Sequence, residues 1–82
     1  MTIKVEIYTR KGCHLCEAAE QIVREVRSEI PFELQIIDIE GNSDLEKEFG
    51  EEVPVTLING QRHDYFKVDK ERFKDAILRL RQ

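Results

Sequence analysis

The sequence predicts an α/β domain, a four-stranded mixed sheet flanked by helices, in the element order β-α-β-α-β-β-α. Three observations predict it. An apolar alternation at the N terminus gives way to a helical repeat, an Asn59-Gly60 dipeptide joins two later extended segments, and a second helical repeat closes the sequence. The 82 residues suit a single domain over 1–82. A domain of this size buries only about 60–65% of the surface its unfolded chain exposes. It has no room for a deep pocket, so a substrate is expected to dock on the surface.

Ile3, Val5 and Ile7 alternate with Lys4, Glu6 and Tyr8, the period of a strand. Thr9 to Gly12 breaks that pattern. From His14 to Glu29 the apolar residues Leu15, Ala19, Ile22, Val23, Val26 and Ile30 recur at three- and four-residue steps, which gives a helix one apolar face. Glu20 and Arg24 stand at i,i+4 on its polar side. Pro31 stops the helix and drives Ile30 toward extended geometry. Phe32 to Ile39 reads as the second strand.

Gly41-Asn42 is a turn, and Ser43-x-x-Glu46 reads as a capping box for a short helix with Leu45 and Phe49 four apart, ended by Gly50. Pro54 to Ile58 is a third strand. Both residues of Asn59-Gly60 tolerate positive φ, so the turn predicts a hairpin into a polar edge strand, Gln61 to Val68. Asp69 can cap the last helix, whose apolar stripe is Phe73, Ala76, Ile77 and Leu80, with Arg79 and Arg81 near its negative end. The leading β-α-β unit implies a parallel pair with a right-handed crossover. The hairpin makes the last two strands antiparallel, and helices cover both faces.

With 17 acidic and 13 basic side chains the net charge is −4. No run of Lys and Arg marks a nucleic-acid surface. No apolar stretch approaches the ~18–20 residues of a membrane span. The N terminus lacks the parts of a signal peptide. The expectation is a cytoplasmic monomer with neither nucleic acid nor membrane as partner.

The only two cysteines are Cys13 and Cys16, in Gly12-Cys13-His14-Leu15-Cys16 after a strand and at a helix start. Unpaired N–H groups and the helix dipole favour an anion there, so the position lowers a thiol pKa from its reference of ~8.5. Arg10, Lys11 and His14 add positive potential. Cys16, one turn on, can reach Cys13. Cys13 then attacks a disulfide and Cys16 resolves the mixed disulfide. Half a zinc site and mere packing are the competing readings. Zinc wants four ligands, and only His14 and His63 remain, far apart in sequence, so no metal is expected. The redox reading leads because strand, motif and helix agree in register.

Tyr8 to Cys16 resembles the active-site segment of glutaredoxins and their small glutaredoxin-like relatives. Glu52-Val53-Pro54-Val55-Thr56-Leu57-Ile58-Asn59-Gly60 resembles that family's second signature. The element order agrees too, so the resemblance covers nearly the whole sequence. It implies a thioredoxin fold and a thiol–disulfide oxidoreductase, with no bound cofactor and with protein or small-molecule disulfides as partners. It further implies a cis Val53–Pro54 bond that presents the Val53 backbone to substrate. Arg10, three before the first cysteine, would hold a glutathione carboxylate; the alternative is a solvated turn residue. Glutathione is accordingly the implied co-substrate and electron source, with a flavoprotein reductase as the other source.

Two departures stand out. The paired glycines that follow the hairpin in glutaredoxins, opening a helix that binds a second glutathione carboxylate, are absent from Arg62 to Asp69. A carboxylate cap at Asp69 would compete with an anionic ligand. His14-Leu15 also replaces the family's usual pair between the cysteines. A charged His14 stabilises a thiolate, and Leu15 is either an apolar contact at the rim or a core residue. Beside the enzyme stands a second reading, a non-catalytic thioredoxin-fold module that binds a protein; a metal or iron–sulfur carrier is a third. Tyr8 is expected to pack near the site, Asp38 to serve a turn and His63 to be solvated. Tyr65 and Phe66 are expected to divide between core and surface.

Overall fold

A computed structural model describes residues 3–65 and 67–81. In it β1 (Lys4–Thr9), α1 (His14–Glu29), β2 (Glu33–Asp38), α2 (Ser43–Phe49), β3 (Val55–Ile58), β4 (Gln61–Tyr65) and α3 (Lys70–Leu80) follow in the expected order. The sheet order is β2-β1-β3-β4. β1 runs parallel to β2 and antiparallel to β3, and β3 runs antiparallel to β4. This is the mixed sheet the sequence predicts.

Strand alternation sorts the two faces. Ile3, just before β1, and Val5 and Ile7 within it share one core with Ala19, Val23 and Val26 of α1 and Phe73 and Ile77 of α3. Phe32 closes edge-on against Phe73, with ring centres 5.8 Å apart. On the opposite face Tyr8 stacks on Phe49 of α2 at 4.4 Å. So α1 and α3 cover one side and α2 the other. Two ion pairs tie α3 to α1, Lys70–Glu25 at 3.6 Å and Lys74–Glu29 at 3.1 Å. Among the described residues Glu20 and Arg24 form no ion pair, and it is Glu25 and Glu29 of α1 that pair across the helix interface.

The turn chemistry behaves as read. Asn59 and Gly60 both hold positive φ, 51° and 82°, as a two-residue hairpin loop requires. Asp69 caps α3 by accepting the Arg72 N–H at 3.1 Å. Asp38 accepts the Glu40 N–H at 2.9 Å in the turn after β2.

Several boundaries differ for physical reasons. The cap of α2 is Asn42, whose Oδ1 accepts the Leu45 N–H at 3.1 Å, so Ser43 is already helical and no capping box forms. Asn is as good a cap as Ser, and it comes first. Gly50 ends this helix in right-handed geometry, φ −52°, without a left-handed cap. Pro54 lacks the N–H a ladder needs and stands just outside β3. β4 spans Gln61–Tyr65, and Lys67 and Val68 lie outside it, with Val68 buried in the core and Asp69 at the helix start. Leu80 is 49% exposed, so the core stripe of α3 ends at Ile77. The expected division of Tyr65 and Phe66 falls outside what is described. Among the described residues no helix is long and apolar enough to cross a membrane.

Candidate redox site

The carboxyl end of β1 delivers the chain into a short loop, where Gly12 turns it with φ 73°. A side chain at that φ is strained. Cys13 follows as the N-cap of α1, extended at φ −93° and ψ 109°. Its Sγ accepts the Cys16 N–H at 3.1 Å. A sulfur thus fills the role an oxygen usually plays at a helix start. The Cys13 carbonyl begins the helical ladder by accepting the Glu17 N–H at 3.1 Å.

The two thiols are free and unequal: Cys13 is half-buried and Cys16 is 2% exposed. Burial pushes the Cys16 thiol up to about 12, and its hydrogen bond with Cys13 adds to that; the charges of Cys13 and Glu20 add a little more. The Arg10 backbone works the other way.

A cavity of about 290 Å³ opens at the pair. Lys11, Glu17, Glu20 and Asp38 wall it together with both cysteines. Asp38 arrives by the parallel register, which sets it beside Thr9. A larger cleft of about 540 Å³ lies between β4 and α3, around His63 and Arg72, and holds no thiol. Among the described residues no group of three or more His, Cys, Asp and Glu side chains is placed to hold a metal.

The other predicted residues are placed as follows. Arg10 belongs to the cavity wall, yet its guanidinium runs toward α2, where Nη2 lies 3.9 Å from Glu46. His14 stands almost wholly in solvent, with Nδ1 3.8 Å from Glu17. The Val53–Pro54 bond is cis. The last paired positions of β1 and β3 are Tyr8 and Val55, so Pro54 and Val53 continue past the end of β1 toward the cysteine loop. Pro54 is buried and Val53 half-buried. Tyr8 packs at this end of the sheet, on Phe49.

Leu15 is 52% exposed and belongs to the rim. Cys16 takes the core position in its turn, so the buried stripe is Cys16, Ala19, Val23, Val26. Counting cysteine as apolar gives that stripe from the sequence. Sequence reasoning missed Glu20 as part of the site and assigned Asp38 only to a turn. A parallel pairing of β1 with β2 in the register seen here is the signal that brings Asp38 in. His63 is not solvated: its Nε2 is buried and its ring stands edge-on to Phe73 at 5.9 Å. Burial, with the nearby Arg72 charge, lowers its pKa; Asp64 opposes.

Residues 4–78 match the family model described as a glutaredoxin-like domain (DUF836). An uncharacterized protein of Mycobacterium tuberculosis is 37% identical over 81 residues, which cover 93% of this chain and 84% of that one. A thioredoxin of Methanocaldococcus jannaschii is 33% identical over 78 residues, 92% of each chain. The solution structure of protein Ne2328 from Nitrosomonas europaea superimposes with a TM-score of 0.79 at 28% identity, covering 93% of this chain and 92% of that one.

Proposed function

The chain belongs to the glutaredoxin-like domain family matched over residues 4–78, and from that membership we propose that it is a thiol–disulfide oxidoreductase in which Cys13 attacks and Cys16 resolves. One observation carries the reading. The accessible thiol sits at the very start of α1, with its sulfur 3.1 Å from the Cys16 N–H and the second thiol buried one turn behind it. The Cys16 N–H and the positive end of α1 are both directed at the Cys13 sulfur.

The reaction balances with the two thiols alone. The Cys13 thiolate attacks one sulfur of a disulfide; a bond from Cys13 to that sulfur forms, the substrate bond breaks, and the departing thiolate takes a proton. Cys16 then loses its proton and attacks the Cys13 sulfur, releasing the second substrate thiol and leaving a Cys13–Cys16 disulfide. Two electrons have passed from the dithiol to the substrate. A small thiol such as glutathione, or a flavoprotein reductase, restores the dithiol. Lys11 supplies a positive charge at the loop, and the Val53 backbone with Pro54 lines the approach of an extended substrate.

The test uses the pre-reduced protein and 2-hydroxyethyl disulfide in a single turnover followed by mass spectrometry. Wild type ends as the internal disulfide. Cys13→Ser does not react, and Cys16→Ser stops with one substrate thiol attached. Full reaction of Cys13→Ser overturns the assignment and leaves a non-catalytic binding module as the better reading.

A further inference from the structure

Charge is divided unevenly along this chain, and the fold gathers the acidic stretch at one end, where Arg62 of the basic stretch pairs with Glu52 at 2.8 Å. Residues 38–52 hold seven acidic side chains and one basic, whereas residues 61–81 hold seven basic and four acidic. The acidic stretch starts at Asp38, paired in register with Thr9 at the carboxyl end of β1. It continues through α2, which is held at that end by the Tyr8–Phe49 stack and by Arg10 reaching toward Glu46. It ends at Glu52, just before the cis bond that leads into β3. The acidic end is therefore the end that carries Cys13.

The site's own wall adds to this. Glu17, Glu20 and Asp38 face the cavity beside the cysteines. Of the two cations there, Arg10 is directed toward Glu46, and Lys11 alone makes no ion pair among the described residues. Beside them Leu15 exposes an apolar side chain at the rim.

We propose that the disulfide this site reduces is presented by a polypeptide segment whose residues around the cysteine are basic, with an apolar side chain that seats on Leu15. The proposal rests on the oxidoreductase reading above and names its substrate class. Negative walls around the thiols raise the local concentration of cationic partners relative to carboxylate-bearing ones. Charge patterns of this kind change encounter rates on the order of tenfold or more at low salt and lose that effect as salt rises.

The experiment compares two short peptides as symmetrical disulfide dimers, identical except for Lys or Glu on both sides of the cysteine. The single-turnover rate of the reduced protein with each is divided by the rate of dithiothreitol, a neutral dithiol, with the same peptide. That division removes the intrinsic effect of the flanking charge on its own disulfide. The normalised rate for the Lys peptide is expected to exceed that for the Glu peptide about tenfold at low salt. The ratio should fall toward one at ~1 M salt, where the screening length is ~3 Å. Glu17→Gln combined with Asp38→Asn, which keeps an acceptor for the Glu40 N–H, should lower the ratio without added salt. Equal rates, or a faster Glu peptide, overturn the basic-substrate proposal and leave the redox reading standing. Failure to reduce either peptide, or 2-hydroxyethyl disulfide, overturns both.

Discussion

Cys16 gives the sharpest quantitative handle on the site. Its thiol is 2% exposed and pushed up to about 12 by burial and by the bond to Cys13. At pH 8 such a thiol is ionised to about one part in ten thousand, four pH units below its midpoint. Because alkylation follows the thiolate, the folded, reduced protein treated with iodoacetamide at pH 8 should acquire one label, and peptide mapping should find it on Cys13. Labelling of Cys16 should rise about tenfold per pH unit from pH 8 toward 12. In denaturant both cysteines should label together. The same shift links to stability. The folded pKa is raised, so above pH ~8.5 the unfolded chain binds fewer protons than the folded one, and stability falls as pH rises. The contribution is complete below ~8.5 and lost progressively up to 12, at no more than about 1.4 kcal/mol per unit. Denaturant melts of wild type and Cys16→Ala across that window should diverge at low pH and converge at high pH. Comparable labelling of the two cysteines in the folded protein at pH 8 would refute the reasoning.

Two further outcomes follow from the core. Thr56 is fully buried and its hydroxyl has no hydrogen-bond partner among the described residues. An unsatisfied buried polar group costs about 1–3 kcal/mol, so Thr56→Val should stabilise by about 1 kcal/mol and raise Tm by about 4–8 °C; a loss of stability would show that the hydroxyl is bonded. His63, with its pKa lowered, is favoured neutral in the folded state. The unfolded chain takes up the proton first, so this contribution is present above pH ~6.5 and fades as pH falls through the folded pKa. NMR titration should place the His63 midpoint below 6.5, and His63→Gln should flatten the acid limb of the stability profile. A midpoint at or above 6.5 would contradict the burial argument.

What the sequence made legible was what short-range chemistry decides. The bounds of α1 were readable because Gly12 and Pro31 bracket an unbroken apolar repeat, and the hairpin because Asn59 and Gly60 are suited to positive φ. The cap at Asp69 was readable for the same reason. Two equivalent caps side by side, Asn42 and Ser43, defeated the reading at α2. The pairing of β1 with β3 was hidden because nothing local encodes it. Through the sheet register and the helix turn, Asp38 and Glu20 join a site whose cysteines are sixteen-residue-helix and loop features in sequence. Leu15 and Leu80 show the limit of periodicity: each continues a stripe, and each is about half exposed.

The hydrogen bond from the Cys16 amide to the Cys13 sulfur ties the proposed chemistry to the integrity of a 16-residue helix. A thiolate is a stronger acceptor than a sulfur already joined to another sulfur, so in the proposed reaction α1 is partly uncapped in both the mixed disulfide and the Cys13–Cys16 disulfide, and reduction of the latter recaps it. The first turn of the helix thereby registers the chemical state of the sulfur. Deuterium uptake at the Cys16 amide would report substrate attachment from within the backbone.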